Sequence, residues 1–432
     1  MKPTLLALAL LLPLSVQAAT DIQRWRNHDG TQILLVERHE NPIIDLEVSF
    51  KGAGSVANLD GKSQVAEFTA ALLTDGTQEL DEEALNAEAD NIGAQISSDS
   101  NAESASAGFR SLSKADIRDK AANLLNHSLT RPRFDEAVFR RRQIQSITGL
   151  QQQETTPDYT ATRELTKLIY PNHPYGSGAN ITVDSLKQVS LDDIRAFHRT
   201  HYGKDNAIVA IVGDLNRKQA EQLVELVLKD LPVKATATHA IPPVSKQTAQ
   251  RRDIPFAGTQ AQVLLGTSLI KRHDPDYYAL VAGNYILGGG GFDSRLMKVL
   301  RDQHGYTYGV YSSLAPATEE GTFAVSYSTQ KKNTKASLAD TQAVIEQFIA
   351  EGPTEAELKQ AKANIVGGFP LRYDSNDKLL NYLSLIGLYD LPNDYLEAYP
   401  KAINSLTVEQ VRDAWQRRIK FKDLNTVVVG AE

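Results

Sequence analysis

Nine histidines are scattered through the chain, and one close pair stands out: His198 and His201 in Phe197-His198-Arg199-Thr200-His201-Tyr202. Three-residue spacing on a helix puts two imidazoles on one face, where they could seat a metal ion. No third ligand accompanies them, so the pair reads as framework. His173, in Asn172-His173-Pro174-Tyr175-Gly176, reads as a turn residue. Gly288, Gly289, Gly290 and Gly291 form a run of four residues without Cβ. Such a run either lets the backbone approach another chain closely or makes a flexible turn ahead of a helix at Ser294.

These residues must be positioned by an alternation of helices and strands. Gln32-Ile33-Leu34-Leu35-Val36 and Ile43 to Phe50 carry apolar residues at strand period around an Asn41-Pro42 turn, which predicts an opening hairpin. From Gln64 to Leu73, Val65, Phe68, Ala71 and Leu72 recur at helical spacing until Asp75-Gly76-Thr77 stops the helix. Helices are also expected over 79–93, 117–129, 191–202 and 217–228, strands over 94–109, and a buried strand from Ala207 to Asp214. Ser190 is the expected cap of the helix at Leu191.

The stretch Pro232 to Arg252, rich in Thr, Pro, Ser and Gln, reads as a linker, and beyond it the pattern begins again. Phe134-Asp135-Glu136-Ala137 is echoed by Pro353-Thr354-Glu355-Ala356. Leu191-Asp192-Asp193-Ile194, followed by a strand ending at Gly213, is echoed by Val408-Glu409-Gln410-Val411 and a strand ending at Gly430. Two echoes at nearly constant offset predict a duplicated α/β lobe, with a period too long for a solenoid.

The chain has 432 residues, 41% of them hydrophobic, and a formal net charge of -7 spread along its length. That length calls for more than one core. Without a basic stripe, nucleic-acid partners are excluded. Met1-Lys2, the apolar run Leu5 to Leu12 and the small residues around Val16-Gln17-Ala18-Ala19 read as a secretory signal peptide. That core is too short to span a bilayer, so no membrane insertion of the mature chain is expected. The absence of cysteine rules out a lipoprotein anchor and suits an oxidising compartment. A periplasm is the first expected address and secretion the second.

Gln64 to Thr77 resembles the first helix of the pitrilysin-type zinc peptidases, whose active members carry H-x-x-E-H there. In that motif two imidazoles grip zinc while the carboxylate activates its water. Glu67, Ala70 and Ala71 occupy those slots here, so the resemblance implies a degenerate site. The family takes a third ligand, a glutamate, from a later helix. No Asp or Glu occurs from Ala137 through Gln153, and Gly149 falls at the ligand position.

Leu300-Arg301-Asp302-Gln303-His304-Gly305-Tyr306-Thr307-Tyr308 resembles the segment in which the family's arginine and a tyrosine seven residues later reach the zinc site of the opposite lobe. The resemblance implies that Arg301 and Tyr308 contact substrate backbone and a developing oxyanion in a partner's site. The plainer alternative is a surface ion pair for Arg301 and a core strand position for Tyr308. Gly288 to Gly291 faintly resemble the substrate-guiding glycine loop of the non-catalytic processing-peptidase subunit.

Taken over the whole chain, the resemblance implies an α+β fold of two homologous α/β lobes in tandem, each built of two related subdomains, clamshell-like and joined by the linker. The expected limits are a signal peptide at 1–18, an N-terminal lobe at 19–231, the linker at 232–252 and a C-terminal lobe at 253–432. The expected function is the non-catalytic subunit of a periplasmic zinc endopeptidase that handles unfolded peptides. It binds no metal itself, and zinc is expected in a homologous partner. The alternatives are a peptide-binding or adaptor protein without a catalytic role, and an independent peptidase with a displaced metal site.

Overall fold

The computed structural model describes residues 20–237 and 240–430, so the signal-peptide reading lies outside the described residues. Eleven strands form two sheets among them. The first contains β1 (Gln23–Arg26), β2 (Gln32–Glu37), β3 (Ile43–Lys51), β4 (Gln95–Ser100), β5 (Ser104–Leu112) and β6 (Ala207–Gly213), in the order β1-β2-β6-β3-β5-β4. The second contains β7 (Arg251–Ile254), β8 (Gln260–Ile270), β9 (Val310–Ala315), β10 (Gly321–Gln330) and β11 (Asn425–Val429), in the order β7-β11-β8-β10-β9.

With β1 set aside, the two orders are the same, and so are the directions. β6 runs parallel to β2 and antiparallel to β3, as β11 runs parallel to β7 and antiparallel to β8. The sequence echoes fall on matching elements. Helices Glu136–Gln153 and Glu355–Gly368 are capped by Asp135 and Thr354. Helices Leu191–His201 and Val408–Arg418 open with capping boxes at Ser190 and Thr407 and lead into β6 and β11.

The expected opening hairpin does not form: β2 pairs with β1 on one side and with β6 on the other, and β6 separates it from β3. All seven residues of β6 are buried, and such a continuous apolar run belongs in the middle of a sheet. Gly213 closes it, where a Cβ would run into the Ile43 carbonyl.

Alternation along β2 and β6 feeds two different cores. Ile33, Leu35, Val209 and Ile211 face helices of their own lobe, including Val65–Leu73, while Leu34, Val36, Ile208, Ala210 and Val212 join the core of the second lobe. The element covering that second face is helix Asn376–Leu388, through Leu379, Leu383 and Ile386. The exchange is reciprocal. Helix Pro157–Ile169 of the first lobe lays Leu165, Leu168 and Ile169 on Leu264, Val427 and Val429 of the second sheet. Glycine permits both contacts: a Cβ at Gly387 would strike Ile208, and one at Gly266 would come within 3.1 Å of Leu165.

Residues 232–250 between the sheets carry no helix or strand among the described residues, yet they are tied down. Lys204 N donates to Pro232 O at 2.9 Å, Thr236 N and Ala237 N to Thr200 O at 3.0 and 2.9 Å. His173 Nε2 lies 2.7 Å from Pro242 O. No helix among the described residues is long and apolar enough to cross a membrane.

Candidate functional site

Helix Val65–Leu73 starts without a side-chain bond from its own cap residue, Gln64, which sits in the left-handed region at φ 65°. Asn58 does that work from the preceding loop. Its Oδ1 accepts from Ala66 N at 2.8 Å, filling one of the helix's open donors, and its Nδ2 donates to Glu67 Oε2 at 3.1 Å. Burial raises the Glu67 carboxyl above its ordinary range, against the opposing pull of its backbone and Asn58 hydrogen bonds.

Ala70, one turn on, is 1% exposed and belongs to the core, and Ala71 is half-buried beside it. The three slots therefore present one carboxyl group and two methyls. Helix Glu136–Gln153 packs alongside through an edge-on contact of Phe139 with Phe68, ring centroids 5.6 Å apart. Arg142 grips Asp75 with two donors, one at 2.6 Å from Nη2 to Oδ1, just beyond the end of the first helix. Gly149 lies seven residues farther along, about 10 Å in helical rise, and a Cβ there would meet nothing within 4 Å.

This donor set does not fit zinc: a metal site needs three or four ligands, and methyl groups and a glycine offer none. Among the described residues no group of three or more His, Cys, Asp or Glu is gathered as a metal ion would require. The histidine pair is occupied otherwise. His198 Nε2 bonds Leu129 O at 2.8 Å, and burial pushes its pKa down to about 4. His201 stacks on Phe197 and holds its Nδ1 within 3.0 Å of that residue's carbonyl.

Helix Val65–Leu73 flanks an open sheet edge. β4 is the outermost strand of the first sheet, and Thr74 Oγ1 reaches Ser98 Oγ on it at 3.0 Å. An edge strand leaves one row of backbone donors and acceptors unpaired.

In the second lobe, the segments Tyr285–Gly289 and Met297–Gln303 are wound as wide π-helical turns. Arg301 stands on the second, its guanidinium 4.8 Å from the Phe292 ring centroid and its Nη1 2.9 Å from Asp302 Oδ1. Tyr308 is 93% exposed, just before edge strand β9, and not in a core strand. Thr307 holds the turn, its hydroxyl accepting from Gly309 N at 3.1 Å and donating to Gly309 O at 2.8 Å.

The glycine run packs on its own lobe. A Cβ at Gly288 would lie 2.6 Å from Ser312 Oγ, at Gly289 2.7 Å from Asn284 Nδ2, and at Gly290 2.6 Å from Tyr285 O. Only Gly291, at φ 65°, looks onto open space. Sequence reasoning passed over Asn58, Phe292 and the Asp75–Arg142 pair, because loop-to-helix contacts leave no periodic signal.

The structure thus keeps two places apart. The Glu67 helix packs on β4, β5 and helices of the first lobe, while the Arg301 segment packs on β9 and helix Thr334–Glu351. Among the described residues no hydrogen bond or ion pair joins them.

A family profile described as "Peptidase M16 inactive domain" matches residues 188–365. A crystal structure of a peptidase M16 inactive domain from Pseudomonas fluorescens superimposes with a TM-score of 0.91 at 33% identity, covering 95% of this chain and 98% of that one. A Helicobacter pylori protein described as "Non-peptidase homolog YmxG" is 25% identical over 435 residues, 100% of this chain and 99% of its own. The periplasmic protease PqqL from Escherichia coli shares the fold, with a TM-score of 0.82 at 17% identity, over 96% of this chain but 46% of that one.

Proposed function

The chain belongs to the pitrilysin-type (M16) peptidase family in its inactive form, and from that premise we propose that it is the non-catalytic subunit of a two-chain zinc endopeptidase. The partner is a zinc-bearing homologue, and the two chains enclose an unfolded peptide. Export by residues 1–18 delivers the mature chain to the periplasm, with lobes at 19–231 and 253–432 and a linker at 232–252.

The observation that carries this reading is the disposition of Arg301 and Tyr308. The first-lobe helix holds no zinc ligand set, yet Tyr308 stands almost wholly in solvent, where a phenol contributes nothing to its own fold. Arg301, seven residues earlier in the chain, is propped on Phe292. A fixed cation and a phenolic donor suit the backbone carbonyls and developing oxyanion of a peptide held in the partner's site. The open edges of β4 and β9 offer backbone pairing to an extended peptide, which recognises chain more than sequence. Gly291 is the glycine of the run free to meet that peptide.

The test is co-purification with a zinc-bearing homologue, followed by cleavage of an unstructured peptide. Arg301→Gln and Tyr308→Phe are expected to lower the pair's turnover at least tenfold while leaving assembly intact. Unchanged turnover would favour the adaptor reading, which the Arg301–Asp302 pair and the self-packed glycines suit. Stoichiometric zinc and cleavage by this chain alone would defeat both.

A further inference from the structure

A concave site lies in the C-terminal lobe, and neither Arg301 nor Tyr308 lines it. It is a cavity of about 240 Å³ walled by Tyr277, Tyr382, Tyr395 and Tyr399, with Arg272 and Arg372 facing it. Phe369 stacks on Tyr399, ring centroids 4.4 Å apart and planes within 11°, which gives the cavity a flat aromatic wall. Arg272 also borders an adjoining cavity of about 580 Å³ between the lobes.

Its own lining carries only positive charge, while the adjoining cavity that shares Arg272 is lined by Glu47, Asp99 and Glu103. Neither Arg272 nor Arg372 forms an ion pair among the described residues, and no Asp or Glu lines the smaller cavity among them. Arg272 rests its guanidinium 4.9 Å from the Tyr389 ring centroid, donates from Nη2 to Pro316 O at 3.2 Å and reaches Tyr277 Oη from Nη1 at 3.5 Å. Charge-assisted bonds to an oxyanion are the strongest hydrogen bonds a guanidinium makes. Burial pushes the hydroxyls of Tyr395 and Tyr399 up, and a hydrogen bond with Tyr277 raises Tyr395 further. Convergent donors in an aromatic cleft are the ordinary makings of a small-molecule site.

We propose that this cavity binds a small aromatic oxyanion, an aryl carboxylate or aryl phosphate, with its charged oxygens on Arg272 and Arg372 and its ring against the tyrosines. The site is independent of the partner reading, since it shares no residue with Arg301 or Tyr308.

Isothermal titration of the full mature chain with benzoate, phenyl phosphate, benzylamine and inorganic phosphate tests it. Saturable one-to-one binding of benzoate or phenyl phosphate is expected, and whichever binds tighter identifies the head group. Arg272→Gln should weaken that binding at least tenfold. Arg372→Gln, on the exposed rim, should weaken it severalfold without altering the unliganded melting temperature, which covers the case where the Arg272 variant fails to fold. Arg301→Gln should bind as the parent does. The proposal is overturned if neither aryl anion binds at millimolar concentration, if benzylamine binds as well, if inorganic phosphate matches phenyl phosphate, or if both arginine variants keep the parent affinity.

Discussion

Glu67 carries its carboxyl into a half-buried place with Asn58 Nδ2 as its side-chain donor. Because burial raises its pKa, the folded state holds the proton more tightly than the unfolded chain does. Stability from this group is therefore largest in acid and falls as pH rises through the unfolded and then the folded value. Glu67→Gln keeps an acceptor for Asn58 and removes that cost. Its urea midpoint should exceed the parent's at pH 7 and match it near pH 4. His198 works in the opposite direction. With its pKa depressed to about 4, the unfolded chain takes up a proton first, so stability falls from about pH 6.5 down to about pH 4. Denaturation at stepped pH should trace that loss, and His198→Gln should flatten it.

At the scale of elements, glycines inside helices separate two kinds of position. Gly149 has open space around a prospective Cβ, so Gly149→Ala should stabilise by about 0.5–1 kcal/mol, the ordinary gain from restricting a helical glycine. At Gly387 the same change drives a methyl into Ile208 under the exchanged helix and should destabilise by about 1–3 kcal/mol. Thermal melts of the two single variants should move in opposite directions. Propensity scales assign both the same sign, and that difference marks what was legible in the sequence. The cap at Ser190, the buried run of β6 and the helix of Glu67 are local patterns, and they appear where the residues place them. The insertion of β6 between β2 and β3 was not legible, because the turn at Asn41-Pro42 is a local signal while the strand order is fixed by a segment some 160 residues later. The site reading followed the same rule. The slots at Glu67, Ala70 and Ala71 share one helix and could be read off together, whereas Asn58, Phe292 and the Arg272 cavity are assembled from distant segments.

For the molecule as a whole, each sheet completes its burial with a helix from the other lobe. The two lobes should accordingly unfold as one unit. Calorimetry is expected to show a single transition, and Leu165→Ala or Leu383→Ala, though in different lobes, should each lower that one transition by about 2–5 kcal/mol at fixed temperature. Cutting the chain within residues 232–250 should leave the two fragments co-eluting, since the exchanged helices hold them together. Two separate transitions, or fragments that part on a sizing column, would contradict the interlock.

The same exchange sets a timetable for synthesis. β6 ends at residue 213, but the helix that covers its second face ends at residue 388, 175 residues later. At about 5–20 residues per second, a ribosome needs roughly 10–35 seconds to deliver it. Throughout that interval Leu34, Val36, Ile208, Ala210 and Val212 lack their native cover. The first half of this protein thus cannot complete its native burial until nearly all of the chain has been made.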